Sequence, residues 1–329
     1  MNRRQFLCAA AGTAFAAPPS KPNLVLIISD DLGYADLPRF GSSEIPTPHL
    51  DRFAASGTVF TQAYVSAPVC VPSRMAINTG RYQQRFGVYD NMYDPREVKL
   101  FFEETTLAQH LKNQGYATGL VGKWHLSGNR FPPNGPTPEQ RGFDEWVGIE
   151  GGMSPYLPPV KVYRNSQPSE ANEYLTDFWG KEAVRFIERN RQRPFFLYLG
   201  FNAPHAPLHA LDADKTAGES LSPDRRTYGG MVKAMDRNIG RVLAALRQMN
   251  LERNTLVAFL NDNGGGGNHT PPHTRNTGRN APLRGYKFDL WEGGIRVPMV
   301  LRYPGRVPAG RSYNQVVSSM DLAPTLVRA

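Results

Sequence analysis

Acids, amides, lysines and histidines gather in this chain where four hydrophobic runs stop. Asp30-Asp31 follows the run 23–28, Lys123-Trp124-His125 follows 117–121, Asn202 and His205 follow 195–199, and Asp262-Asn263 follows 256–260. A single Asp or Asn at a strand end is ordinary turn chemistry. Four such endings point to one shared site, because ligands of open α/β sheets bind beyond the carboxyl ends of the strands. Asp30, Asp31, Asp262 and Asn263 are hard oxygen donors, without the Cys or His that zinc or copper favours. They suit Ca²⁺, with Mg²⁺ second, and their separation in sequence excludes an EF-hand. Adjacent carboxylates at the mouth of a buried strand repel each other unless a cation lies beside them.

A more local signal is Cys70-Val-Pro-Ser-Arg74. Pro72 suits the first turn of a helix that continues through Met75, Ala76 and Ile77 to Gly80. Cys70 then stands at a helix N-terminus, where free N–H groups and the dipole favour an anion. Arg74, one turn later, can aim its guanidinium at the same place. Two plain readings of Cys70 are an inert buried side chain and a thiolate nucleophile. Neither accounts for the Pro-Ser-Arg that follows.

The elements that must position these groups alternate. Strands are expected at 23–28, 117–121, 195–199, 256–260 and 297–302, the last as an edge strand because of Pro298. Helices are expected from Pro48 to Gly57, from Thr106 to Gly115, over 174–190 and over 231–249. This alternation predicts an α/β fold, a mostly parallel central sheet with helices on both faces. Long Pro-rich loops are expected at 126–170, 202–227 and 261–294.

Composition narrows the class. The 329 residues, 40% of them hydrophobic, can bury a sizeable core, and two cysteines exclude a disulfide-stapled scaffold. The formal charge of +9 is spread without a block of like charges or a basic stripe interleaved with aromatics. That distribution disfavours nucleic acid and leaves either a general attraction to anions or a plain solvated surface. No apolar run is long enough to span a bilayer. Residues 1–17 read as a twin-arginine-type signal, with Arg3-Arg4, an apolar stretch from Phe6, and Ala14-Phe15-Ala16 as cleavage site. The expected destination is periplasmic or extracellular, and the mature chain would keep one cysteine, Cys70.

The motifs together resemble the type I, formylglycine-dependent sulfatases of the alkaline-phosphatase-like superfamily. Cys70-Val-Pro-Ser-Arg74 with Gly80-Arg81 is similar to their modification signature, in which the cysteine becomes formylglycine. The segments 23–34, 122–126, 203–207, 261–265 and 283–298 follow in the family's order. The resemblance covers 22–329, expected to be the catalytic domain. It implies that Asp30, Asp31, Asp262 and Asn263 bind Ca²⁺ with the modified Cys70 as a further ligand. It also implies that Arg74, Lys123, His125, His205 and Lys287 surround the sulfate. Lys287 rests on the resemblance alone; His209 and His273 match no family position and read as loop histidines, and Glu292 reads as structural.

The implied reaction is hydrolysis of a sulfate monoester, expected to be that of a sulfated carbohydrate. Cations and a metal stabilise charge developing at sulfur. One hydroxyl of hydrated formylglycine attacks in line while His205 protonates the departing alcohol. His125 then removes the second hydroxyl's proton, so that sulfate leaves by elimination and the aldehyde returns. A formylglycine-generating enzyme is the implied maturation partner. Two alternatives are a phosphonate or phosphate diester hydrolase of the same fold and a non-catalytic protein that binds sulfated glycans. Family members usually continue beyond 318–325 into a smaller C-terminal subdomain, which this sequence is expected to lack.

Overall fold

Strand β1 (Asn23–Ser29) is buried along its whole length, and its side chains divide by parity between two cores. Val25 and Ile27 join the core shared with helices α1 (Pro48–Ala55), α4 (Leu175–Asn190) and α5 (Pro223–Gln248). Leu24, Leu26 and Ile28 join the core shared with α2 (Cys70–Thr79), α3 (Leu107–Asn113) and α7 (Leu322–Arg328). A strand buried on both sides needs an unbroken apolar run rather than alternation, as the sequence of β1 has. The computed structural model describes residues 21–41, 44–91, 103–127, 136–218, 220–267 and 277–329. The expected signal segment and His273 lie outside the described residues.

The other strands are β2 (Thr58–Tyr64), β3 (Ala117–Lys123), β4 (Glu145–Ile149), β5 (Val160–Arg164), β6 (Gln167–Ala171) and β7 (Phe195–Gly200). They continue with β8 (Thr255–Asn261), β9 (Arg296–Arg302), β10 (Arg311–Tyr313) and β11 (Val317–Ser318), and the short helix α6 (Glu292–Ile295) precedes β9. The sheet runs β10-β2-β9-β8-β1-β7-β3-β4-β5-β6, with β11 also on β2. Strands β8, β1, β7, β3 and β4 are mutually parallel, so their carboxyl ends share one rim. This is the expected α/β architecture. Among the described residues no helix is long and apolar enough to cross a membrane.

Three expectations need correction. Strand β9 is interior, antiparallel to both β2 and β8. Pro298 is accommodated because β2 carries an irregularity between Phe60 and Ala63 opposite it and the β8 ladder stops at Met299. The expected loop 126–170 contains β4, β5 and β6. The β5–β6 hairpin turns through Asn165 and Ser166 at φ 45° and 62°, a two-residue turn without the glycine that would have announced it. Helix α5 begins at Pro223, not Met231, where Ser222 Oγ accepts from Arg225 N at 3.2 Å. Its first two turns hold Arg225, Tyr228, Gly229 and Gly230 in place of an aliphatic stripe, so periodicity missed them. Helix α2 matches its expected span and ends on Gly80 at φ 66°.

Gly148, Gly122 and Gly200 lie in register across β4, β3 and β7. A Cβ on Gly122 would sit 2.0 Å from the Gly200 carbonyl oxygen, and one on Gly148 2.1 Å from that of Gly122. This close approach lies one residue before Lys123. Gly122→Ala should therefore lose more than about 1 kcal/mol of stability. It should lose more than Gly115→Ala, whose φ of +87° is also positive but whose Cβ would meet nothing within 4 Å. Urea unfolding midpoints measure the difference; equal losses would show that backbone contact does not require the glycine.

Candidate active site

Three buried carboxylates and three buried cations meet at the shared rim. Asp30 and Asp31 leave β1, Asp262 leaves β8, Lys123 ends β3, Arg74 lies on α2 and Lys287 comes from the turn before α6, all with no exposure. Lys123 Nζ is 2.5 Å from Asp30 Oδ2. Arg74 Nε is 2.8 Å from Asp262 Oδ2, and its NH1 donates to the Lys123 carbonyl at 3.2 Å. Lys287 Nζ is 2.9 Å from Asp31 Oδ2 and 3.7 Å from Cys70 Sγ. Cys70 Sγ is in turn 3.4 Å from Asp30 Oδ1. Asn263 reaches the group by donating Nδ2 to Asp31 Oδ1 at 2.7 Å.

Charge and burial work against each other here. Burial alone would raise the Asp30 carboxyl, but Lys123, His205, Arg74 and Lys287 hold it well below the usual range. Asp262 is pushed up to about 6 by burial and by Asp30, with Arg74 pulling the other way. Burial and Asp30 push the Cys70 thiol far up, so as a free cysteine it is a thiol and not a thiolate. Lys287 stays charged despite burial because the carboxylates Asp31 and Asp30 lie beside it.

His205 has acceptors on both sides: its Nδ1 is 2.6 Å from the Ala206 carbonyl and its Nε2 is 3.5 Å from Asp31 Oδ2. The carbonyl fixes the proton on Nδ1 and leaves Nε2 facing the site. Burial and Lys287 nevertheless bring its pKa down to about 4, against Asp31 and Asp30. His125 is buried beside Lys123 at φ 57°, and its ring packs where a Cβ on Gly152 would lie, 2.5 Å from Nε2. His209 faces Tyr156 instead, with Nδ1 3.5 Å from the Tyr156 amide.

Several supports escaped sequence reasoning. Asn261 Oδ1 accepts from Ser29 Oγ at 2.9 Å and Leu32 N at 3.2 Å, tying β8 to the Asp30-Asp31 turn. Tyr156 donates to the His205 carbonyl at 2.8 Å, and Trp179 Nε1 to Asn202 Oδ1 at 3.0 Å. Asn280 Nδ2 donates to the Gly265 and Gly285 carbonyls at 3.0 and 3.2 Å, fastening the Lys287 segment to the loop after Asp262. Buried Asp36 receives Arg225 NH2 at 2.6 Å and Tyr228 OH at 2.6 Å, anchoring the β1 exit to α5. Asn261 alone carried a signal, as part of the 261–265 motif. Glu292 accepts from Tyr64 OH at 2.7 Å and from Arg296 NH1 at 2.9 Å, joining β2 to the start of β9.

The residues fit a hard cation. Asp262 Oδ1 and Asn263 Oδ1 are buried without a hydrogen-bond partner, two oxygens left for a ligand that accepts lone pairs. One donor atom from each of Asp30, Asp31, Cys70 and His205 lies within 4.8 Å of the others. A divalent ion here would also remove the penalty on ionising Asp262.

The sulfatase family model matches residues 22–329. The chain belongs to the sulfatase family. It is 38% identical over 352 residues to the N-acetylgalactosamine-6-sulfatase of Canis lupus familiaris, covering 98% of this chain and 65% of that protein. The steryl-sulfatase of Mus musculus is 33% identical over 97% of this chain and 64% of its own length. This sulfatase-family chain thus spans just under two thirds of these curated relatives. The crystal structure of Ps i-CgsB in complex with k-i-k-neocarrahexaose superposes with a TM-score of 0.85 at 38% identity, over 94% of this chain and 72% of that one.

His205 gives a pH prediction. With its pKa near 4 folded and about 6.5 unfolded, the unfolded chain binds more protons between those values. Its contribution to stability is complete above about pH 6.5 and is lost as pH falls toward 4. In the metal-free protein, imidazole NMR should show His205 neutral at pH 6 with a midpoint near 4; a midpoint at or above 6.5 would contradict its burial against Lys287.

Proposed function

We propose that this chain hydrolyses sulfate monoesters of carbohydrates, using formylglycine made from Cys70 and a bound Ca²⁺. The observation that carries this reading is the position of Cys70 Sγ, 3.4 Å from Asp30 and 3.7 Å from Lys287, where the strand ends converge. Identity of 38% to an N-acetylgalactosamine-6-sulfatase and to Ps i-CgsB, solved with a neocarrahexaose, supports both the ester and the carbohydrate. Residues 1–17 serve as the export signal in this reading, which also requires a formylglycine-generating enzyme.

Formylglycine at position 70 supplies an oxygen nucleophile with a second hydroxyl on the same carbon. Asp30, Asp31, Asp262 and Asn263 would hold the Ca²⁺, which would supply positive charge to the site. Arg74, Lys123 and Lys287 bind the sulfate oxygens and stabilise the charge that grows on them during transfer. His205 carries the proton for the departing alcohol on Nε2, its ring held by the Ala206 carbonyl. Because the free imidazole is neutral at pH 7, that proton is taken up with the anionic ester, whose charge raises the His205 pKa. His125 is the remaining base.

Two outcomes test the reading. Protein made with the maturation enzyme should release sulfate from defined sulfated mono- and oligosaccharides and from an aryl sulfate faster than it cleaves an aryl phosphonate. Cys70→Ala should lower that rate by at least about a thousandfold, and the wild-type peptide should show the aldehyde by mass spectrometry. A free thiol with full activity would sink the mechanism. Separately, Ca²⁺ at about 100 times its Kd should stabilise the protein by about 2.7 kcal/mol in thermal unfolding, and Asp262→Asn with Asn263→Ala should blunt the response. A flat response to Ca²⁺ argues against the metal assignment.

A further inference from the structure

The turn that sends Lys287 inward sends its neighbour outward. Lys287 is buried against Asp31 and Cys70, whereas Phe288 is 41% exposed. The Phe288 ring centroid is 5.6 Å from the same Nζ that stands 3.7 Å from Cys70 Sγ. Ring and sulfur are therefore both neighbours of one ammonium, the sulfur buried and the ring partly exposed.

Phe288 also holds a φ of +77°, an outlier for a bulky side chain. Its surroundings enforce the conformation. Lys287 N donates to the Gly265 carbonyl at 3.1 Å, Phe288 N to that of Pro68 at 3.0 Å, and Asp289 N to that of Tyr286 at 2.9 Å. The turn is thus pinned on one side to the loop after Asp262 and on the other to the residues before Cys70. Glycine would relieve the strain and remove the exposed apolar ring, yet the chain keeps phenylalanine. Strain held by its surroundings next to a buried site lysine is a reason to look for a role in binding.

We infer that Phe288 is the platform for the ring that bears the sulfate ester. With the sulfate bound on Lys287, the ring carbons beyond the ester oxygen would reach the Phe288 face. A pyranose offers C–H groups to that face and an aryl ring its π-system, both suited to aromatic contact in a partly dry pocket. The inference rests on the sulfate-ester reading above and adds to it a preference for cyclic alcohols.

The test compares wild type, Phe288→Ala and Phe288→Gly. KM is measured for galactopyranose 6-sulfate and for 4-nitrophenyl sulfate, and Ki for inorganic sulfate, which has no ring. The ratio of ring-ester KM to sulfate Ki should rise about tenfold in both variants, equivalent to about 1.4 kcal/mol; a rise with only one ester assigns the platform to that ring class. Phe288→Gly should also unfold at higher urea than Phe288→Ala, reversing the usual order, because only glycine is relaxed at this φ. A KM that moves in step with Ki, or that does not move, overturns the platform while leaving an active sulfatase in place. A wild-type enzyme that releases no sulfate from any ester overturns the underlying reading instead.

Discussion

Taking an ionised carboxylate out of water costs several kcal/mol even after the protein relaxes, and only close opposite charge and hydrogen bonds offset it. This fold buries Asp30, Asp31 and Asp262 together at zero exposure. Each is met by a cation from a different part of the chain: Lys123 from the end of β3, Lys287 from the turn before α6, and Arg74 from α2. Breaking one such buried pair leaves an uncompensated charge worth about 3–5 kcal/mol. The parallel run β8-β1-β7-β3 is what allows the balance, since it brings the chain out at one rim after each strand.

The histidines are held by a different kind of contact. His205 is oriented by a backbone carbonyl, and its own segment is pinned by neutral donors, Tyr156 and Trp179. His125 is shaped by the space that Gly152 leaves. The Ala206 carbonyl fixes where the Nδ1 proton points, while the charge on Nε2 is set by burial and by the balance of Lys287 against Asp31 and Asp30. The cations, by contrast, are each locked to a carboxylate.

What the sequence made legible follows from these contacts. Buried parallel strands need continuous apolar runs, so β1, β3, β7 and β8 could be read directly, and with them the polar residues at their ends. Strands β4, β5 and β6 could not. They are short, β6 (Gln-Pro-Ser-Glu-Ala) has no apolar residue larger than proline, and the β5–β6 turn has serine where glycine would be expected. Pro298 misled because its tolerance depends on an irregularity in β2, a partner far away in sequence. Lys287 was placed by motif alone, since its position depends on the Asn280 and Gly265 contacts and not on any strand. The supports Asp36, Tyr156 and Trp179 left no local trace, as each acts through residues distant in the chain.

The burial of Cys70 also sets an order of events during synthesis. At 1% exposure, beneath Asp30 and Lys287, its sulfur is beyond the reach of any protein-sized catalyst once the fold has closed. Closure waits for Lys287, which is 217 residues further along the chain. At roughly 5–20 residues per second of translation, the segment around Cys70 emerges about 10–40 s before the last wall of its pocket exists. Any enzyme that alters this side chain therefore competes with the ribosome and with folding, and its access is a matter of timing before it is one of affinity.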